Sequence, residues 1–231
     1  MDITDIIVPV FNEQDGLHEF HRRVTALGPE YRLIFIDNAS TDNSLEIIEN
    51  FKEVTIIRHE TNQGYGASLR DGIRAARAGK IIIIDADCEY PPEAIPLLVQ
   101  ELDRHEVVYT SRFLDDRNRD RMGYMKMLGN KIISGAFNLL FRQQVTDLYT
   151  GSKGFRRQVV SGLPMERNGF EHVLEVAARL AKKGITIHEI PVDFRPRQTG
   201  QSKMRHLGET VKYLGLLIWY AVTIPASEKK T

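Results

Sequence analysis

Cysteine is almost absent from this chain, and its scarcity limits the chemistry that the protein can use. Cys88 is the single cysteine among 231 residues. One cysteine cannot form an internal disulfide, so we expect a reducing compartment. It also excludes a zinc site built from thiolates, and we interpret Cys88 as a small packing residue.

Net charge, long apolar runs and sequence repeats are absent as well. The 31 Lys and Arg residues balance 31 Asp and Glu residues, and the pI is near 7.1, so no global field indicates a nucleic-acid partner. No apolar run approaches the roughly 20 residues of a transmembrane helix. No signal peptide precedes the first predicted strand, and no segment repeats at a fixed period. We therefore expect a cytoplasmic protein without a membrane span.

The sequence does contain a regular alternation of short apolar runs and amphipathic segments. With 42% hydrophobic residues, the chain can bury a substantial core. Short β-branched runs predict strands at 6–10, 33–36, 54–57, 81–84 and 107–109. Segments between them have apolar residues at helical spacing. Such alternation is typical of βαβ units, so we predict an α/β fold with a mostly parallel central sheet flanked by helices.

The strand predicted at 81–84 consists of four isoleucines, and Asp85 and Asp87 follow it. Side chains two residues apart in extended backbone point the same way, so both carboxylates can converge at the carboxyl edge of the sheet. Open α/β sheets bind their ligands at that edge. Paired carboxylates suit Mg²⁺ or Mn²⁺ with substrate phosphates. An isolated Asp-x-Asp is also common in ordinary polar loops, so its interpretation as a metal site depends on the motifs in the rest of the chain.

Gly64 and Gly66 resemble the start of a dinucleotide-binding fingerprint. That fingerprint belongs in the first βα turn and has a further glycine three residues later. Here the residue three positions later is Leu69, and the first turn, 9–13, contains no glycine. The sequence therefore argues against a Rossmann dehydrogenase.

The second half of the chain combines positive charge with apolar helical faces. Residues 112–157 contain ten Lys and Arg residues against four Asp residues. Two apolar faces have helical spacing there, one with Met125, Leu128, Ile132 and Leu139 and another with Ile133, Phe137 and Leu140. A helix that is apolar on two sides is either deeply buried or packed between protein and lipid. Solvated surface charge and an anion site at a membrane surface explain the basic residues equally well.

The end of the chain carries another apolar segment. Nearly every residue of 213–224 is apolar, and Trp219 and Tyr220 are among them. We predict a main domain over 1–206, followed by an amphipathic C-terminal helix and tail over 207–231. Trp and Tyr favour the headgroup level of a membrane, so this helix can lie at a membrane surface. A buried helix or a contact within a homo-oligomer explains the same residues equally well.

Six stretches of the chain carry recognisable motifs, each of them weak alone. They are 8–13 (VPVFNE), 36–42 (IDNASTD), 62–67 (NQGYGA), 85–92 (DADCEYPP), Gly151 with Phe155-Arg156, and 197–203 (RQTGQSK). In this order they resemble family 2 glycosyltransferases with the GT-A fold, from about Asp5 to Lys212. Tyr90, Ser111-Arg112, Asp147 and the late Gly-x-Ser-Lys loop are similar to the dolichyl-phosphate mannosyltransferase branch.

The resemblance implies a donor site that uses Mg²⁺ or Mn²⁺. The implied nucleotide-sugar contacts are Pro9, Phe11, Glu13, Asp37, Asn38, Asp85 and Ser202; the implied metal ligands are Asp85, Asp87 and Glu89; the implied catalytic residues are Asp87, Arg197 and Lys203. A metal and cations stabilise the charge that develops on a leaving diphosphate. Asn38 stands where the family usually has a second aspartate that contacts the nucleoside, which leaves the base open.

The resemblance also implies the acceptor. Its phosphate would be bound by Arg112, Arg121, Lys126 and Lys131. The implied reaction transfers a hexose, from GDP-mannose in preference to a UDP-sugar, to a polyprenyl phosphate of the dolichyl type. The protein would then attach peripherally to the cytoplasmic face of a membrane. The alternatives are a family 2 glycosyltransferase with a soluble or saccharide acceptor and a non-enzymatic module that binds nucleotide-sugars.

Overall fold

Residues 2–118, 121, 123–196 and 206–225 are described by the computed structural model, and they contain one seven-stranded sheet. Its strands are β1 (Thr4–Val10), β2 (Tyr31–Asp37), β3 (Thr55–Arg58), β4 (Lys80–Ile84), β5 (Val107–Ser111), β6 (Ser152–Arg156) and β7 (Ile187–Pro191). Their order across the sheet is β3-β2-β1-β4-β6-β5-β7. The predicted α/β fold is confirmed, and the five predicted strands all belong to this sheet.

Helices cover both faces of the sheet. They are α1 (Gln14–Thr25), α2 (Ser44–Glu49), α3 (Tyr65–Ala75), α4 (Ile95–Glu101), α5 (Tyr124–Phe141), α6 (Arg157–Val160), α7 (His172–Lys182) and α8 (His206–Thr223). Short 3₁₀ turns lie at Pro92–Ala94 and Asp116–Asn118. In α1, Leu17, Phe20 and Val24 are fully buried, as their helical spacing predicts.

Strand β4 supplies both layers of the core because successive strand side chains alternate between faces. Ile81 and Ile83 pack in the layer that contains residues of α3, α5, α7 and α8. Ile82 and Ile84 pack in the opposite layer, with residues of α1, α2 and α4. Each isoleucine is at most 3% exposed, and burial of such a side chain stabilises the fold by about 1.5–3 kcal/mol.

Strand β6 makes the sheet mixed. It runs antiparallel to β4 and β5, whereas the other strand pairs are parallel. The sequence pattern did not predict this strand, because Ser152, Lys153 and Gly154 interrupt any apolar run. Strand β6 pairs with β4 and β5, which are distant from it in the sequence, so its place in the sheet depends on tertiary contacts.

Helix α5 is apolar on two sides, and the structure buries most of one of them, although Leu140 on that side is 37% exposed. Ile133 and Phe137 are at most 2% exposed, whereas Leu128, Ile132 and Leu139 are 38%, 45% and 83% exposed. The exposed side chains leave an apolar strip on the surface of the protein.

Helix α8 packs against α5 and α7 and exposes apolar side chains of its own. It buries Tyr213, Leu217 and Tyr220 in the core but exposes Val211, Ile218, Trp219 and Val222. Within the described ranges, none of the helices combines the length and the hydropathy needed to cross a bilayer.

Gly72 of α3 faces the sheet at close range. A Cβ atom there would lie 2.5 Å from Ile7 Cγ2 and 2.9 Å from Ile36 Cδ1. We expect Gly72→Ala to lower the free energy of unfolding. Overpacking lowers it by about 1–3 kcal/mol, whereas the higher helix propensity of alanine raises it by about 1 kcal/mol. Gly135→Ala in α5 is the matched control, since an added Cβ there meets no atom within 4 Å. Urea denaturation compares the two variants, and equal gains in stability would contradict the close contact.

Candidate active site

The carboxyl ends of β1, β2 and β4 lie side by side, since these strands are adjacent and parallel. The loop after each strand contains a residue in the left-handed region: Asn12 (φ 55°), Ala39 (φ 61°) and Cys88 (φ 57°). Residues other than glycine rarely adopt this backbone, and the strain, about 1–3 kcal/mol each, concentrates at functional sites. These three loops therefore define the candidate active site.

The loops after β1 and β2 are tied together by hydrogen bonds. The Asn12 N–H donates to Ser40 Oγ (3.1 Å), and the Thr41 N–H donates to Asn12 Oδ1 (2.8 Å). The Glu13 N–H donates to Ser44 Oγ (2.9 Å). The two loops form one wall of the site, which we call the nucleoside wall (residues 9–13 and 37–44).

Four residues that the sequence assigns to the nucleoside lie on this wall. Pro9, Phe11 and Glu13 are half-buried, and Asp37 is 1% exposed at the end of β2. Both carboxylate oxygens of Asp37 accept the Ser40 N–H at 3.3 Å, which holds the turn that follows the strand. The structure therefore brings the four residues to one edge of the sheet.

Asn38 turns its amide toward the loop 59–63. Its Oδ1 accepts the Gln63 N–H (2.8 Å) and lies 2.9 Å from His59 Nδ1, and its Nδ2 donates to Asn62 Oδ1 (3.0 Å). His59 Nε2 in turn lies 3.2 Å from Asp71 Oδ2. Sequence reasoning missed His59, which is 5% exposed. Asn38 thus positions a neighbouring loop at this edge.

Asp85 and Asp87 leave β4 at the same edge, and both are half-buried. Asp85 Oδ1 accepts a hydrogen bond from the Tyr65 hydroxyl (3.2 Å). A Cβ on Gly151 would lie 2.6 Å from Asp85 Oδ2, so the backbone approaches this carboxylate at a distance that only glycine allows. Asp87 Oδ1 accepts the Glu89 N–H (2.9 Å). The three predicted metal ligands therefore share one loop.

Lys153 of β6 is a buried cation that the sequence analysis missed. Its ammonium group donates to the Thr150 carbonyl and lies 5.3 Å from the ring centre of Tyr109. Burial lowers the pKa of Lys153 to about 8, although the carboxylates of Asp85 and Asp147 act in the opposite direction. A lysine inside a strand was the available signal, because lysine is rarely buried without a partner.

Arg112 and Asp147 form a buried ion pair. Arg112 Nε donates to Asp147 Oδ2 (2.7 Å), and its terminal nitrogen donates to Oδ1 (2.8 Å). The side chains are 13% and 0% exposed, and the guanidinium lies over the rings of Tyr90 and Phe194. Burial alone would raise the pKa of Asp147, but Arg112 holds it below its ordinary value. The predicted phosphate ligand Arg112 is therefore already engaged with a carboxylate of the protein.

Two other predicted acceptor residues are exposed. Arg121 donates to Asp193 Oδ1 (2.6 Å), and the Lys131 ammonium lies 5.4 Å from the ring centre of Phe113. Lys131 and Arg112 line one small cavity of about 50 Å³. The side chain of Lys126 lies outside the described part of the chain, as do three predicted donor-site residues, Arg197, Ser202 and Lys203.

Arg112→Met would leave the Asp147 carboxylate buried without its counter-charge. We expect this variant to lose about 3–5 kcal/mol in the free energy of unfolding at neutral pH. Adding Asp147→Leu should restore part of the loss. Because the pKa of Asp147 is lowered in the folded state, the pair stabilises the protein above pH ~4 and less as the pH falls further. Denaturation of both variants at neutral and acid pH measures this, and equal stability of the single and double variants would argue against the pair.

Two solved structures share the fold of this chain. Glucosyl-3-phosphoglycerate synthase from Mycobacterium tuberculosis, in complex with Mn²⁺, uridine diphosphate and glucosyl-3-phosphoglycerate, gives a TM-score of 0.69 at 16% identity, over 96% of this chain and 79% of that one. A mannosyltransferase from Pyrobaculum calidifontis, in complex with GDP-Man and Mn²⁺, gives 0.59 at 16% identity, over 85% and 58%. The predicted GT-A fold is thereby confirmed.

Sequence comparison identifies the family. The dolichol-phosphate mannosyltransferase of Pyrococcus furiosus is 26% identical over 214 residues, which cover 89% of this chain. The chain spans 60% of the length of that relative. The model of glycosyl transferase family 2 matches residues 5–163, more than half of the sequence. The chain therefore belongs to glycosyl transferase family 2.

Proposed function

We propose that this family 2 glycosyltransferase transfers a hexose from a nucleotide-sugar to a polyprenyl phosphate with the help of Mg²⁺ or Mn²⁺. The observation that carries the proposal is the position of Asp85 and Asp87 beside the nucleoside wall. A nucleoside on that wall would place its diphosphate at the two carboxylates. The related structures that hold Mn²⁺ with UDP or with GDP-Man support this arrangement.

The donor set fits a hard divalent cation. Asp85, Asp87 and Glu89 provide carboxylate oxygens on one half-buried loop, where phosphate and water can complete the coordination. When bound, the metal neutralises charge on the leaving diphosphate. The Tyr65 hydroxyl donates a hydrogen bond to Asp85. The buried Lys153 adds positive charge that acts on the same carboxylate. We assign contacts with the leaving phosphate to Arg197, Ser202 and Lys203.

The nucleotide is proposed to be GDP, and the sugar mannose. Similarity to a mannosyltransferase from Pyrococcus furiosus and to a structure that holds GDP-Man favours this donor. A UDP-sugar is the alternative, supported by the structure that holds uridine diphosphate. In either case Asn38 is proposed to support the nucleotide site by holding the loop 59–63, to which its amide group is hydrogen-bonded.

The acceptor site is proposed to lie where α5 begins. Lys131 is exposed on the same helix as Leu128 and Ile132, so a phosphate and an apolar chain can bind next to each other. Arg121 and Lys126 would add positive charge. The phosphate is already an anion near neutral pH, and the reaction therefore needs no strong general base. The exposed residues of α5 and α8 would face a membrane, with the protein attached peripherally to its cytoplasmic face.

A soluble acceptor is the second candidate. The fold is shared with glucosyl-3-phosphoglycerate synthase, whose structure contains the small phosphorylated product glucosyl-3-phosphoglycerate. The apolar strip of α5 and α8 would then contact another copy of the chain. A binding module without catalysis is disfavoured, because Asp85 and Asp87 are both present.

Asp87→Asn tests the metal assignment. The amide oxygen can still accept the Glu89 N–H, so the loop should keep its shape. We expect the rate of mannosyl transfer to fall about a hundredfold or more, because a stabiliser of the developing charge is lost. The shift in melting temperature caused by GDP-mannose with Mn²⁺ should also shrink. Asp103→Asn, which removes an exposed carboxylate paired with Lys80, should retain full activity. Normal turnover by Asp87→Asn would refute the assignment.

The apolar strip can be tested on lipid vesicles. Ile218→Gln combined with Val222→Gln changes two side chains that are 57% and 80% exposed on α8. We expect flotation with anionic vesicles to decrease and transfer to long polyprenyl phosphates to slow. Leu97→Gln is the control, because Leu97 is 41% exposed on α4, at the opposite face of the sheet. Equal flotation, together with equal rates on short and long prenyl chains, would favour the soluble acceptor.

A further inference from the structure

Glu101, His105 and His188 meet at the end of the sheet opposite the active site. Glu101 ends α4, His105 precedes β5, and His188 is the second residue of β7. Since β4 and β5 are both antiparallel to β6 and β7 is parallel to β5, the amino ends of β5 and β7 lie away from the edge that carries Asp85. The donor and acceptor sites proposed above use none of these three side chains.

The two imidazoles converge on one carboxylate oxygen. His105 Nε2 lies 3.8 Å and His188 Nε2 lies 3.9 Å from the same Glu101 Oε2. The rings stack with their centres 3.9 Å apart and their planes 8° from parallel. Distances of this length are beyond ordinary hydrogen bonds. The carboxylate and the two imidazoles thus lie within reach of a single ion, and neither ring is hydrogen-bonded to the carboxylate.

The donor chemistry fits a transition-metal ion. Histidine binds metal ions as the neutral imidazole, through the lone pair of a ring nitrogen. Two imidazoles and one carboxylate are a common ligand set for Zn²⁺, with water in the fourth position. The three side chains are between 17% and 38% exposed, which allows that water to enter.

The geometry needs only a local adjustment to hold such an ion. Ligand atoms about 2.0–2.1 Å from a tetrahedral Zn²⁺ lie about 3.3 Å from one another. Here the three ligand atoms all lie within 4.8 Å of one another. The two rings would have to turn out of their stacked arrangement so that both lone pairs point to one centre. Each imidazole is 38% exposed, so both rings border solvent.

We propose that Glu101, His105 and His188 bind Zn²⁺, with water as the fourth ligand, and that the ion links α4 to β7. Strand β7 is the last strand in the order of the sheet, and an edge strand gains from an additional link. The ligand set also separates this site from Asp85 and Asp87, whose oxygen ligands suit Mg²⁺ or Mn²⁺. The inference does not depend on the identity of donor or acceptor.

Calorimetric titration of the chelator-treated full chain with Zn²⁺ tests the proposal. Millimolar Mg²⁺ is included to occupy the carboxylates of the active site, and Asp87→Asn is titrated in parallel. We expect one Zn²⁺ to bind per chain in both proteins and to raise their melting temperature. His188→Ala and Glu101→Gln should each weaken zinc binding by at least about tenfold, or about 1.4 kcal/mol.

His21→Ala is the matched control, because His21 also stacks on an aromatic ring, that of Phe51, but belongs to no such cluster within the described residues. It should bind Zn²⁺ as the unchanged protein does. Melting temperatures recorded without metal separate lost packing from lost coordination, since only the zinc-dependent increase should disappear in His188→Ala. Undiminished binding by His188→Ala and Glu101→Gln, or no saturable binding by the unchanged protein, would overturn the proposal.

Discussion

Strand β4 is buried on both faces, and this constraint places the active site. No polar side chain can enter the stretch from Ile81 to Ile84 without disrupting one of the two core layers. The first carboxylates therefore come where the strand leaves the sheet, at Asp85 and Asp87. Because β1 and β2 end at the same edge, the nucleoside wall and the carboxylates are held by strands that contribute buried side chains to both core layers. Such support gives a site its precision.

The need to balance buried charge explains why Arg112 and Lys153, two basic residues near the site, interact mainly with groups of the protein itself. The Asp147 carboxylate is fully buried, and its burial would be costly without Arg112, whose Nε and one terminal nitrogen donate to it. Lys153 lies in the field of Asp85 and Asp147 and bonds to the Thr150 carbonyl. Arg112 and Lys153 thus hold in place the segment 147–151, which passes close to Asp85. Exposed basic residues such as Lys131 are better placed to meet a ligand.

The sequence predicts those parts of the structure that depend on local pattern. A continuous run of isoleucines identified β4, and helical spacing of apolar residues identified α1, because in both elements the pattern of burial follows from residues that are close in the sequence. The same reasoning missed β6, since Lys153 and its small neighbours pair with strands that are distant in the chain. The cluster of His105 and His188 gives no signal in the sequence either, because the two residues come together only through the pairing of β5 with β7. Residues that are brought together only by tertiary contacts have no characteristic spacing in the sequence.

Helix α5 shows how the fold turns an ambiguous pattern into a specific surface. Two apolar faces were visible in its sequence, and burial of Ile133 in the core leaves the face with Leu128 and Ile132 outside. Lys131 lies three residues after Leu128 and directly before Ile132, so its charge stands at the border of that face. A small soluble phosphate compound would bind through the charge of Lys131 alone. A ligand with a phosphate head and an apolar chain would use both the charge and the apolar face, and α8, which packs against α5, exposes further apolar side chains.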